Sequence, residues 1–503
     1  MELKLASIFS DNMVLQRNKN INIWGTSSKS NMVSIKFNEK VIDTKVINNE
    51  WRAILPSMEA GGPYSMEISD GNEDIILNNI MIGEVWVASG QSNMELELQN
   101  SKNGKVVVKS IKNYNIRFYN VPRLSYIDDE FFRIEDNTTW QECNKENVST
   151  WSAVGYYFAK KLSEELGVTV GIVGCNFGGT SASAWISRDR LEEDVDTRSY
   201  VEEYEKVNEG RSFEEYLNEV EEYNVWYKEW QERVDECYKR DPNILWSKVL
   251  EIAGENRWPE PLGPKSPYRP GGLYKTMLRR IIPYTIGGVL YYQGESDDHK
   301  PKIYGKLLKK LIEQWREDWE DDELPFMIVQ LPMFIGREDE DKKNWPIIRE
   351  EQMRVHKRIK NTGIAVIIDC GEFDNIHPLD KETVGYRLTL QALLHVYKKN
   401  IKAYGPTYRE IKYLDKAIEV SFDNAEDGII NIGNKANGFE IAGENKKFFE
   451  ANIIIENNKI IISSSKVDNP KYVRYAWTNY GEVNIFNKIG LPMAPFRTNR
   501  NDG

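Results

Sequence analysis

Histidine and cysteine are scarce in this chain, with only four of each among 503 residues. Cys143, Cys175, Cys237 and Cys370 form no Cys-x-x-Cys pair, so a zinc site is not expected and neither is another metal cofactor. Unpaired thiols in a reducing compartment are the plain reading. A run of about 18 apolar residues is also missing, which excludes an ordinary membrane-spanning helix. The start, Met1-Glu2-Leu3-Lys4-Leu5-Ala6-Ser7-Ile8, lacks the apolar core of a secretion signal, so a cytoplasmic location is expected. No basic stripe is present, and the formal net charge is −12. Nucleic-acid binding is therefore not expected, and a polyanionic substrate would be repelled at long range, although one local cation could still hold a carboxylate.

What is abundant is aromatic and apolar material. There are 14 Trp and 26 Tyr, and 40% of residues are hydrophobic, enough for a large core and an aromatic-lined groove. Residues 1–80 carry short alternating runs, Val33–Phe37, Trp51–Leu55 and Tyr64–Ile68, separated by turn signals such as Gly61-Gly62-Pro63 and Asp70-Gly71-Asn72. They predict a small β-sandwich. From about 82 the pattern changes to continuous apolar runs at 82–88, 168–174, 286–292, 326–331 and 364–368, the mark of strands buried on both faces. Helical patterns alternate with them. Tyr304, Leu307, Leu308, Leu311, Ile312 and Trp315 form one stripe, and Ser149-Thr150 is the expected cap of a helix running to Leu166. The fold class expected for 81–400 is therefore α/β, doubly wound, with a mainly parallel sheet. Residues 190–260 interrupt it with an acidic, aromatic, helical insertion, read equally well as a cover over the site or as a hairpin packed on the side. Strands return in 401–503, with Glu456-Asn457-Asn458-Lys459 as a hairpin turn. This second β domain is a candidate to complete the N-terminal sandwich.

In such a sheet ligands bind beyond the carboxyl ends of the strands. Four polar clusters fall there: Gly90-Gln91-Ser92-Asn93, Asn176-Phe177-Gly178-Gly179-Thr180, Gln293-Gly294-Glu295-Ser296-Asp297, and Asp374 through His377. Ser92 is the candidate nucleophile. Alone, it reads better as a helix cap; the convergence of the four clusters is what promotes it. His377 is the candidate base. His356 and His395 lie on predicted helices, and His299 is its one rival. Asp374, three residues before His377, is spaced to orient the imidazole. For the oxyanion of acyl transfer the candidate donors are the Ser92 amide, the amide of Gly178 or Gly179, and the Gln293 side chain. Gln91, Glu295 and Trp185 are the candidate substrate contacts. Met94 breaks Gly-x-Ser-x-Gly, so the α/β-hydrolase pattern is not met.

Taken together, Gly90-Gln91-Ser92-Asn93-Met94-Glu95, Gly178-Gly179-Thr180, Tyr292-Gln293-Gly294-Glu295 and Asp374-x-x-His377-Pro378 with Lys381 resemble the sialate O-acetylesterase group of the SGNH hydrolase superfamily. Val14-Leu15-Gln16-Arg17, Ile23-Trp24-Gly25, Gly62-Pro63-Tyr64 and Gly83-Glu84-Val85-Trp86 look like that group's N-terminal β domain. The resemblance spans roughly residues 5–400. It implies a flavodoxin-like sheet and a metal-free carbohydrate O-acetylesterase. In that scheme Ser92 is the nucleophile, His377 the base and Asp374 its partner, with the Ser92 and glycine amides and Gln293 as oxyanion donors. Gln293 stands where the wider superfamily usually has asparagine. The implied substrate is a small molecule or oligosaccharide bearing O-acetyl groups, on sialate, xylan or mannan. A sialate carboxylate would call for a cation, and Arg188 and Arg269 are the candidates by position. The sequence leaves oligomerisation open. Two rival classes remain, a glycosidase using Glu295 with Asp297 and a non-catalytic carbohydrate binder working through its tryptophans.

Overall fold

A single strand runs through two of the expected regions. The computed structural model describes residues 3–112 and 115–501, so the expectations touching Met1, Glu2, Asp502 and Gly503 lie outside the described residues. Strand β1 (Asp74–Gly90) is 17 residues long. Its first part alternates between exposed and buried positions and pairs antiparallel with Gly61–Ser69. From Ile82 onward every residue is buried, and parallel strands flank it on both sides. The boundary read at 80/81 falls inside this strand, because its hydrogen-bond ladder continues without a linker. Glu84 is buried in this stretch and is held by Arg17 Nε at 2.6 Å and Gln16 Nε2 at 3.0 Å, the pairing that a buried carboxylate needs.

The N-terminal strands form two small sheets. One joins Lys4–Leu5, Ile21–Thr26 and Glu50–Leu55; the other joins Met32–Phe37, Lys40–Lys45 and Gly61–Ser69 to β1. Their alternating apolar residues, such as Ile23, Ala53, Val33 and Ile35, are buried in a core continuous with that of the parallel sheet.

That sheet adds β2 (Ile116–Asn120), β3 (Val170–Asn176), β4 (Gly288–Tyr292), β5 (Phe326–Gln330) and β6 (Thr362–Val366). The order is β2-β3-β1-β4-β5-β6, all parallel, with Gln141–Glu142 antiparallel on the outer edge. The five runs of apolar residues read from the sequence are thus strands of one sheet. The chain leaves β1 toward β2 and β3 and later returns to its other side as β4, so β1 lies where the strand order reverses. Such a point opens a crevice at the strand ends. Register makes this crevice sharp: Asn176, Gly90 and Tyr292 are level neighbours.

The helices that flank the sheet or belong to the insertion include α1 (Ala153–Leu166), α2 (Val195–Asn208), α3 (Phe213–Arg240), α4 (Trp246–Ala253), α5 (Tyr304–Asp318), α6 (Asn344–Arg358) and α7 (Lys381–His395). Helices α1 and α7 pack on each other, as do α5 and α6. The α5 stripe expected from its periodicity is fully buried. The cap of α1 is Ser152, whose Oγ accepts the Gly155 amide at 3.1 Å. The expected cap, Ser149-Thr150, instead belongs to a short turn. The buried indole of Trp151, stacked on Phe118, requires an extended residue between turn and helix.

The insertion divides. Tyr200 and Val201 of α2 join the main core, whereas Trp230, Val234 and Cys237 of α3 pack with Val249 and Ala253 of α4 in a small core of their own. In the C-terminal region the Glu456–Lys459 turn joins two antiparallel strands, Asn452–Glu456 and Lys459–Ser463. Among the described residues these C-terminal strands pair only with one another. Their core takes in Met333, Val366 and Ile368 of the α/β part. No described helix is long and apolar enough to cross a membrane.

The crevice depends on one glycine. Gly90 has φ +138, and a Cβ there would lie 1.9 Å from the Tyr292 carbonyl oxygen. Gly90→Ala is therefore expected to lower the thermal midpoint by at least about 5 °C, at roughly 2–4 °C per kcal/mol for a unit of this size. An unchanged midpoint in differential scanning calorimetry would show that β1 and β4 need not approach so closely.

Candidate active site

Beyond Gly90 the chain turns into one helical turn, Ser92–Glu95, with Gln91 as its N-cap residue. The Gln91 amide still donates to the Tyr292 carbonyl, at 3.1 Å, which fixes where Ser92 emerges. The Ser92 amide makes no hydrogen bond among the described residues, as expected for the first residue of a helical turn. Ser92 Oγ lies 2.8 Å from His377 Nε2. Both side chains line a cleft of about 840 Å³ at the strand ends.

Asn93, the residue after Ser92, is fully buried. Its Nδ2 donates to Glu295 Oε1 at 2.7 Å and to the Ile376 carbonyl at 2.9 Å, and its Oδ1 accepts from Lys381 Nζ at 2.5 Å. This amide ties the Ser92 turn to the loop after β4 and to the loop that carries His377. Glu372 holds that loop from the other side. Its carboxylate accepts the Asn375 side-chain amide and the Leu379 N–H, both at 2.8 Å. Asn375 in turn accepts the His377 N–H at 3.0 Å.

Burial sets the titration of this group. His377 is pushed below the ordinary imidazole range, first by desolvation and then by the Lys381 charge. Lys381, buried with its ammonium 5.2 Å from the centre of the Tyr292 ring, is lowered to about 8 by desolvation. Glu295 is raised to about 7 by desolvation. Its Oε2 has no hydrogen-bond partner among the described residues, and the side chain borders the cleft.

Three expected roles need correction. Asp374 does not touch His377. Its residue has φ 63, and its carboxylate accepts the Arg337 N–H and pairs with Arg337 Nε, each at 2.9 Å. A competing cation from the loop after β5 has captured it. No carboxylate accepts from His377 Nδ1 among the described residues. The Gln293 amide points away from Ser92: its Nε2 donates to Asp297 at 2.6 Å and to the Thr180 carbonyl at 3.3 Å. Trp185 is fully buried behind the cleft, its indole N–H on Thr180 Oγ1 at 3.1 Å.

Other candidates are near the serine. Gly178 sits beside Ser92, but its N–H donates to Glu95 Oε2 at 2.6 Å. The Gly179 N–H makes no hydrogen bond among the described residues, and Gly179 lines the cleft at φ +72. Gln91 also borders the cleft, while its Oε1 accepts the Gly294 and Ser296 amides at 3.4 and 3.2 Å. His299 faces the Tyr200 ring in the cleft wall and has no contact with Ser92. Asp297 accepts from Ser181, Ala182, Tyr200 and Gln293. With four donors on it, it is a structural tie between loops rather than the partner of Glu295 in a glycosidase pair.

The aromatic groove expected from composition is built from residues that no motif singles out. Tyr200 and Tyr204 of α2, with Trp258 and Tyr268 from the segment after α4, border the cleft. The insertion's near end thus forms part of the site, while the α3–α4 hairpin keeps its own core. The only available signal was the aromatic richness of that stretch.

Comparison with known proteins gives a consistent result. Residues 257–390 match the family model described as carbohydrate esterase, sialic acid-specific acetylesterase. The chain is 24% identical to the sialate O-acetylesterase of Mus musculus, over 98% of this chain and 94% of that one. It is 23% identical to that of Homo sapiens, over 98% and 92%. A solved carbohydrate acetylesterase from Xanthomonas citri matches with a TM-score of 0.79 and 26% identity, over 99% of this chain and 100% of that one. The motif resemblance read from the sequence is therefore found along nearly the whole chain.

The corrected geometry makes a direct prediction. Asp374→Asn removes only a half-exposed ion pair, worth about 0–1 kcal/mol, and should leave kcat/KM for p-nitrophenyl acetate within about threefold. Glu372→Ala releases the His377 loop, and misplacement on the scale of about 1 Å costs on the order of 10²-fold. The reverse ranking of the two variants in steady-state kinetics would restore Asp374 as the orienting acid.

Proposed function

We propose that this carbohydrate O-acetylesterase cleaves acetyl esters on sugars through an acyl-enzyme on Ser92, with His377 as the general base that activates it. The 2.8 Å hydrogen bond between Ser92 Oγ and His377 Nε2 at the floor of the cleft is the observation that carries the reading. Ser92 Oγ attacks the acetyl carbonyl carbon while His377 Nε2 takes the hydroxyl proton. The carbonyl oxygen becomes an oxyanion, for which the Ser92 and Gly179 amides are the available donors. Each donor of this kind is worth about 3–4 kcal/mol of barrier. The intermediate collapses by breaking the bond to the sugar oxygen, which leaves with the proton held on His377. Water then gives a proton to His377 and attacks the acetyl-serine. Acetate departs, and Ser92 Oγ recovers its proton from the imidazolium.

The imidazole must be neutral to start. Burial and Lys381 both favour the neutral form, so His377 is ready at pH 7. The parallel sheet, with its serine after β1 and its histidine shortly before α7, supports an SGNH-type arrangement. It differs from the usual scheme in having Asp374 turned toward Arg337 and Gln293 toward Asp297.

Two measurements test this reading. Ser92→Ala should abolish acetate release while circular dichroism and the thermal midpoint stay unchanged; retained turnover would remove Ser92 from the mechanism. The pH profile tests the base. Because the His377 pKa is depressed, kcat/KM should fall only as pH drops through a limb below the ordinary value of about 6.5. Lys381→Met deletes the repelling charge and should move that limb upward. A limb that stays in place, or moves to lower pH, contradicts the assignment of His377 as the titrating base.

A further inference from the structure

The charge of the cleft narrows the sugar. Its described lining contains four carboxyl groups, those of Glu203, Glu260, Glu295 and Asp298, and no lysine or arginine. Burial pushes the Glu260, Glu295 and Asp298 carboxyls upward. The walls therefore already disfavour negative charge, and a substrate carboxylate placed there would meet the same desolvation without a counter-ion. The two arginines that position alone suggested for such a carboxylate are committed elsewhere. Arg188 pairs with Glu192 and Glu205, and Arg269 Nη1 donates to the Ser266 carbonyl at 2.7 Å; neither borders the cleft. Lys300 reaches Glu203 at 2.7 Å, with its ammonium 4.1 Å from the centre of the Tyr200 ring, and so cancels one acidic charge; it lines the neighbouring groove and not the cleft itself. Lys302, Lys342 and Lys446 line a separate groove that meets the cleft only at His299.

What the cleft does offer suits an uncharged, hydroxyl-rich ring. Trp258, Tyr268 and Tyr204 present apolar faces, and carboxyl oxygens accept hydrogen bonds from hydroxyls. Glu295 Oε2, buried and without a partner among the described residues, is one such acceptor. We infer that the acetylated sugar in this cleft carries no carboxylate: the substrate class is a neutral O-acetylated sugar or glycoside, and acidic sugars such as sialate are disfavoured. The inference rests on the esterase reading of the same site.

A matched pair differing by one charge tests it. 9-O-Acetyl-N-acetylneuraminate and its carboxyl methyl ester are compared by acetate release, with p-nitrophenyl acetate as a substrate free of the question and Ser92→Ala as the background. The methyl ester should exceed the free acid in kcat/KM by about tenfold or more, since juxtaposed like charges discriminate strongly. The double substitution Glu260→Gln with Asp298→Asn, two lining carboxyls without a lysine or arginine partner among the described residues, should shrink that ratio to about threefold or less. Hydrolysis of p-nitrophenyl acetate together with equal or faster turnover of the free acid overturns this inference alone. An unchanged ratio in the double variant overturns its electrostatic cause. Absence of Ser92-dependent p-nitrophenyl acetate turnover overturns the esterase reading and the inference with it.

Discussion

The site is assembled on the buried side-chain amide of Asn93. It donates twice and accepts once, and its partners come from three parts of the chain: the loop after β4, the loop before α7, and α7 itself. A buried amide with this much satisfied capacity is rigid, since losing any partner leaves a desolvated polar atom costing about 1–3 kcal/mol. Its rigidity fixes Ser92 on one side and the Ile376 carbonyl, one residue before His377, on the other. The short Ser92–His377 distance is thus a consequence of backbone placement. Among the described residues no third side chain hydrogen-bonds the imidazole, and Glu372 acts on it only through the loop.

The same burial that rigidifies the network tunes it. Removing water lowers both cationic groups, His377 and Lys381, and raises Glu295. Lys381 and Glu295 are joined through Asn93 instead of touching, so the cation remains close enough to keep His377 neutral. The cleft wall follows the same rule on a larger scale. Three of its carboxyls, Glu260, Glu295 and Asp298, are partly desolvated and border an open volume lined with aromatic rings, conditions that favour hydroxyls over charged groups. In the proposed mechanism, catalytic readiness and substrate choice both follow from where the fold excludes water.

Much of this was legible in the sequence. Continuous apolar runs identified five of the six parallel strands, all but Ile116–Asn120, and the polar residues after them marked the site, because strand ends in one register gather on one edge. Ser92, His377 and the glycine pair came out of that rule. Asp374 did not, because spacing in sequence says nothing about Arg337, 37 positions away, which captures its carboxylate. Gln293 follows β4 directly and Trp185 lies in a short turn after β3, but both face inward, where Asp297 and Thr180 satisfy them. The cleft wall was hidden for another reason. Trp258 and Tyr268 follow a helical insertion whose docking depends on tertiary contacts such as Tyr200 with Asp297, and no local period encodes such contacts. The length of β1 was likewise masked by its change from alternating to continuous burial, which reads as two elements although it is one.

The central claim is that Ser92 is the nucleophile and that His377, held by its loop, is the base that activates it. Reaction with a fluorophosphonate followed by peptide mapping tests this most directly, because the reagent requires an activated serine oxygen and marks it covalently. The account predicts one stoichiometric adduct on Ser92, formed far more slowly in His377→Ala and at a near-normal rate in Asp374→Asn. An adduct on another serine, or labelling of Ser92 that is indifferent to the loss of His377, would contradict it.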